Sequence, residues 1–159
     1  MKRQIKGFTL IELIVVIAII GVLAAIVLGF LNSARNRGSD AGVKSNLAGI
    51  RSQAEILNDT WGYYGINATP ASFSVGACAA TSNTLFADPN ISAQITAAGN
   101  ASNGGGIGQG SCVSTTAAWA VSVPLKETPT NSWCVDSTGK SKQVTPASGD
   151  RGFSGVACK

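Results

Sequence analysis

Few side chains in this sequence can do chemistry. There are four cysteines, Cys78, Cys112, Cys134 and Cys158, no histidine at all, and one acid, Glu12, set inside a long apolar run. Without histidine there is no Ser/His/Asp or Cys/His nucleophile and no imidazole metal ligand. No two cysteines stand closer than 22 positions, which is not the spacing of a zinc site. An even set of cysteines beyond a membrane segment implies two disulfides, with three connectivities open. Asp136 and Asp150, with neighbouring Ser, Thr and Gly oxygens, are the best oxygen ligands for calcium. Calcium takes about six to eight oxygens, and two loop aspartates read better as hairpin-turn residues. Gly139-Lys140-Ser141 imitates the end of a phosphate-binding loop, but Cys134 stands where the earlier glycine belongs. No cofactor, metal or catalytic residue is expected, and the chain reads as a non-enzyme.

Glu12 is the informative acid. It lies near the start of Phe8 to Leu31, 24 residues that hold no other ionisable group. The charge-free stretch from Leu13 to Leu31 reaches about 28 Å as a helix, close to the thickness of a bilayer's hydrocarbon core. One transmembrane helix follows. A cleaved secretory signal has an apolar region of about 7 to 15 residues and no acid, which this segment does not fit. Lys2, Arg3 and Lys6 stay cytoplasmic by the positive-inside rule and leave the rest of the chain outside. These three also supply most of the formal net charge of +4. From Gly38 to Lys159 seven basic residues face seven acidic ones, so no general attraction to nucleic acid is expected, Lys140, Lys142 and Arg151 being the only local cluster. A lone carboxylate at membrane depth is costly, so Glu12 is expected to be paired or functional.

Lys6-Gly7-Phe8-Thr9-Leu10-Ile11-Glu12 followed by an unbroken apolar helix resembles the class III signal of type IV pilins and type II secretion pseudopilins. The resemblance covers about the first 30 residues closely. It implies that a prepilin peptidase cuts between Gly7 and Phe8 and N-methylates Phe8. Glu12 then becomes the fifth residue of the mature chain, poised to neutralise the Phe8 amine of a neighbouring copy. The implied partners are further copies in a helical filament, prepilin peptidase, an inner-membrane assembly platform, and membrane lipid before assembly. The implied location is the inner membrane with the head outside the cytoplasm, then an extracellular pilus or a periplasmic pseudopilus. A pilus subunit, a secretion pseudopilin and a minor pilin taking up DNA all carry this motif. Many pilins of the family have a proline where Gly29 stands; this chain does not.

These groups need elements to position them. Val43, Leu47, Ile50, Ala54, Leu57 and Trp61 are spaced 4, 3, 4, 3 and 4 apart, an apolar stripe for the core of a head. Arg51 and Glu55, four apart, are expected to pair on the surface. With no proline before Pro70, the helix is expected to run from Phe8 to about Asp59, with its bend between Gly38 and Gly42. Ala117 to Leu125 alternates like a strand, Trp133–Asp136 and Ser141–Val144 read as a hairpin, and Gly152 to Ala157 as a further strand. Gly99 to Gly110 reads as loop. The expected fold is α+β, a long N-terminal helix, half transmembrane and half amphipathic, packed on a small antiparallel sheet. Its parts are a leader over 1–7, a filament-core helix over 8–31, an amphipathic continuation over 32–61 and a head over 62–159. Resemblance to the family, which often staples its C-terminal segment, favours Cys78 with Cys112 and Cys134 with Cys158.

Overall fold

The computed structural model describes residues 7–65, 71–74, 83–103, 111–145 and 153–159. The chain divides into two compact units, Met1–Arg35 and Asn36–Lys159. Helix α1 is assigned without a break over Leu10–Trp61 and contributes residues to both. It passes through the glycines at 21, 29, 38, 42 and 49 as helix.

In the second unit, α1 is followed by β1 (Ala71–Ser74), a 3-10 turn at Leu85–Ala87, helix α2 (Pro89–Asn103), and strands β2 (Ser111–Ser114), β3 (Trp119–Pro124), β4 (Ser132–Asp136) and β5 (Ser141–Val144). Strands β1 to β5 form one antiparallel meander in chain order. Strands β6 (Phe153–Ser154) and β7 (Ala157–Cys158) pair separately as a small hairpin. The expected strand near the C-terminus thus exists, but as this hairpin outside the main sheet.

The central strands β2, β3 and β4 are buried on both faces, and their alternation says by what. Trp119, Val121 and Val123 of β3 and Val135 of β4 join Val43, Leu47, Ile50, Ala54 and Leu57 of α1 in one core. Ala120 and Cys134 point the other way and pack with Val113, Val144, Phe153 and Cys158 in a second core under the C-terminal hairpin. Because side chains alternate along a strand, the large residues fill the helix side while small ones leave room for the hairpin.

Helix α2 was not expected. Asp88 caps it, its Oδ1 accepting the backbone N–H groups of Asn90 and Ile91 at 3.0 and 3.1 Å, and Pro89 occupies the first helical position, where its missing N–H costs nothing. Ile91, Ile95 and Ala98 then face the core with α1. The helix takes in Gly99 to Asn103, correcting the first part of the expected loop; 104–110 lie outside the described residues. Gly42 and Gly49 let α2 approach: a Cβ there would lie 3.7 Å from the Ala101 Cβ and 2.9 Å from the Gln94 amide nitrogen respectively.

Two expectations about α1 are corrected. Trp61 does not enter the core and is 40% exposed. The helix ends at Trp61 because Gly62 takes a φ of +78° and donates its N–H to the Asn58 carbonyl at 2.7 Å, a left-handed cap that only glycine adopts without strain. The chain turns back, and Tyr64 fills the core position instead. Arg51 and Glu55 do not pair with each other. The Arg51 Nη2 donates to the Lys140 carbonyl and to Ser141 Oγ at 2.9 and 3.1 Å, which ties α1 to the β4–β5 turn. Glu55 accepts the Tyr64 hydroxyl at 2.9 and 3.0 Å. A sheet-bound backbone and a phenol outcompete an exposed ion pair worth under about 1 kcal/mol.

Candidate assembly segment and the disulfide-clasped head

In the first unit the segment from Gly7 to Leu31 is exposed at every position, up to 86% at Phe8. Every leucine, isoleucine and valine of the expected membrane span therefore presents its side chain outward. The described helix has the length and composition to cross a membrane.

Its start is built as a capping box. The Thr9 backbone N–H and hydroxyl each donate to Glu12 Oε2 at 2.8 Å, and the Glu12 N–H donates to Thr9 Oγ1 at 3.3 Å. Thr9 is the N-cap and Glu12 the third residue of the helix, so two donors that helix geometry would leave orphaned are satisfied reciprocally. The sequence signal was present as Thr-x-x-Glu directly before an apolar run, and reading Glu12 only as a long-range partner missed it. Glu12 thus has a local role in one chain, with its carboxylate turned toward the residues just before it. Its Oε1 accepts no hydrogen bond among the described residues.

In the second unit Cys134 and Cys158 are bridged, their Cα atoms 5.8 Å apart. Cys112, buried in β2, is also disulfide-bonded, while Cys78, its expected partner, lies outside the described residues. Beside the bridge sits Asp136, fully buried at the end of β4. Its Oδ1 accepts the Thr138 N–H and hydroxyl at 2.9 and 2.7 Å and the Lys140 N–H at 3.1 Å. Its Oδ2 accepts the Cys158 N–H at 2.8 Å. One carboxylate therefore shapes the β4–β5 turn, where Gly139 takes a φ of +91°, and clasps the C-terminal strand across 22 residues of sequence. Burial pushes its pKa up, but the hydrogen bonds from Thr138 and from the Cys158 and Lys140 backbone outweigh it and hold the carboxyl below its ordinary range.

With these oxygens committed, Asp136 is a turn-and-clasp residue, and no group of three potential metal ligands occurs among the described residues. Asp150 lies outside the described residues, as does Arg151 of the basic cluster. A second buried acid, Asp40 on α1, accepts the backbone N–H groups of Lys126 and Glu127. It fixes the β3–β4 connection to the helix, with an exposed Arg37–Glu127 ion pair at 2.8 Å beside it.

Among the described residues, a capped, exposed apolar helix of membrane-spanning length and a disulfide-clasped α+β unit fit a membrane-anchored protein with a small head. The model of the prokaryotic N-terminal methylation motif matches residues 2–28. The chain is 36% identical over 91 residues to the type IV wide pilus major component PilA4 of Thermus thermophilus, a match covering 51% of this chain and 70% of that protein. No solved structure matches the chain. The chain belongs to the type IV pilin family.

Proposed function

We propose that the chain is a shaft subunit of a type IV pilus, made as a membrane protein and polymerised through its apolar helix. Prepilin peptidase cuts between Gly7 and Phe8 and methylates the Phe8 amine. Copies then leave the bilayer at an inner-membrane assembly platform and pack their Phe8–Leu31 helices in parallel. The supporting observation is that this segment is exposed along its whole length. Outside lipid each buried Leu, Ile, Val or Phe side chain contributes about 1.5–3 kcal/mol. A segment with more than a dozen of them is stable in water only when covered, and parallel copies related by a non-closing operator cover it and extend indefinitely. The relative's printed role as a major pilus component favours a pilus shaft over a secretion pseudopilus.

Glu12 sets the register in this reading. Thr9 fixes one carboxylate oxygen, and Glu12 Oε1 accepts the charged Phe8 amine of the neighbouring copy, so two groups that are costly in an apolar core neutralise each other. The test is Glu12→Ala, scored by electron microscopy for filaments and by mass spectrometry for processing. Processed, membrane-inserted subunit without filaments is the expected result. Filaments at the native level from that variant would overturn the pairing.

A further inference from the structure

The head carries a cavity that nothing in filament assembly through the N-terminal helix uses. It has a volume of about 310 Å³ and lies where α1 ends, between that helix end and the start of α2, lined by Trp61, Tyr63, Asn83, Thr84, Asp88 and Pro89 among others. Trp61 and Tyr63 stand with ring centroids 6.1 Å apart and planes tilted by 35°. Trp61 is 40% exposed, and the turn at Gly62 brings a second ring beside it.

The polar rim is short and specific. Asn83, exposed and held at a φ of +62°, offers an amide that both donates and accepts. Asp88 has Oδ1 committed to capping α2, while Oδ2 accepts no hydrogen bond among the described residues. The helix N-terminus under Asp88 partly offsets its charge, and no lysine or arginine lines the cavity among the described residues. A ligand here meets two aromatic surfaces, an amide and the Asp88 carboxylate.

We propose that this cavity is a saccharide subsite, taking one neutral pyranose unit of a glycan. A pyranose presents an apolar C–H face to an aromatic ring and a rim of hydroxyls that donate to carboxylate and amide oxygens, which is the chemistry these residues offer. A quaternary ammonium is also drawn to aromatic rings, but its usual site boxes the cation between steeply inclined rings and makes no use of an amide. An anionic ligand finds no cation among the described residues of the lining.

The test uses the full chain in a polyoxyethylene detergent, since sugar-headed detergents would occupy the site. Methyl β-D-glucopyranoside, methyl α-D-mannopyranoside and N-acetylglucosamine are titrated by ligand-observed NMR and tryptophan fluorescence, with choline for comparison. At least one hexose is expected to bind saturably in the millimolar range, and Trp61→Ala is expected to weaken it about tenfold or more. Asp88→Asn keeps the helix cap, since asparagine caps as well as aspartate, but turns an NH2 group toward the cavity in place of the acceptor, and is expected to weaken the same hexose severalfold with the thermal melt unchanged. Absence of saturable sugar binding up to about 100 mM, where a site of this kind is filled, would overturn the proposal. So would equal binding by wild type and both variants, or saturation by choline alone.

Discussion

Replacing Asp136 with asparagine isolates the clasp at the C-terminal end of the head. In the wild type its two oxygens accept four hydrogen bonds, three at the β4–β5 turn and one from the Cys158 N–H. An asparagine can keep its oxygen on the turn side, but its NH2 group then faces the Cys158 N–H, donor against donor. That buried N–H loses its partner at a cost of about 1–3 kcal/mol, and the turn bonds lose the charge assistance that roughly doubles them. A total near 3 kcal/mol follows, a large share of the roughly 5–15 kcal/mol that holds a domain folded. The assay is urea unfolding of the purified protein followed by tryptophan fluorescence, run from neutral pH down to about pH 3. Because hydrogen bonding holds the folded-state carboxyl below its ordinary range, the stability it contributes is present above the unfolded pKa of about 3.9 and is lost as pH falls through the folded pKa. The wild type should therefore lose its advantage over Asp136→Asn as the solution is acidified, and the two unfolding curves should converge. A loss below about 1 kcal/mol at neutral pH, or a difference that stays constant down to pH 3, would refute this account of the clasp.

Replacing Cys134 and Cys158 together with alanine removes a bridge spanning 24 residues of sequence, and should cost about 3.5 kcal/mol by the chain-entropy relation, read from denaturant midpoints under non-reducing conditions. Combined with Asp136→Asn the losses should fall short of their sum, because both act on the same terminal strand. Tyr64, pushed up to about 12 by burial and by its bond to Glu55, should appear as a late phenolate step in an absorbance titration that Tyr64→Phe removes. Its folded pKa lies above the unfolded value, so its contribution is complete below about pH 10 and is lost as pH rises toward 12. Gly65→Ala should destabilise by about 1–3 kcal/mol, since the new Cβ would lie 2.8 Å from Ser114 Oγ and 3.4 Å from the Thr115 carbonyl. Gly49→Ala should be near neutral, because the roughly 1 kcal/mol of helix propensity it gains is offset by displacing the Gln94 side-chain amide, 2.9 Å from the new Cβ; thermal melts of the two variants decide both.

What could be read from residue order alone follows the strength of the local pattern. The apolar helix announced itself by length and absence of charge, β3 by alternation around Trp119, Val121 and Val123, and β4 and β5 as a hairpin about the turn at Gly139. Strands β1 and β2, sequences Ala-Ser-Phe-Ser and Ser-Cys-Val-Ser, are short and mostly small residues whose strand state comes from pairing with neighbours, which no local window contains. Helix α2 left readable signs in Asp88-Pro89 and in the spacing of Ile91, Ile95 and Ala98, but its alanines, glycine and asparagines blended with the glycine-rich stretch after it. Trp61 continued the apolar stripe in sequence while Gly62 ended the helix under it, so the period was right and the last residue wrong. Arg51 was drawn to the β4–β5 turn, 89 positions away, a partner that only the folded chain reveals. At the N-terminal end the acid at Glu12 was legible, and its box with Thr9 was overlooked although the motif is local.

The central claim, a processed subunit that forms the shaft of a pilus, is tested most directly by purifying surface filaments from the native cells and sequencing the amino terminus of their main band by mass spectrometry. The account predicts this chain as the principal component, beginning at an N-methylated Phe8. Filaments built without this chain, or containing it with Lys6 and Gly7 still attached, would contradict it.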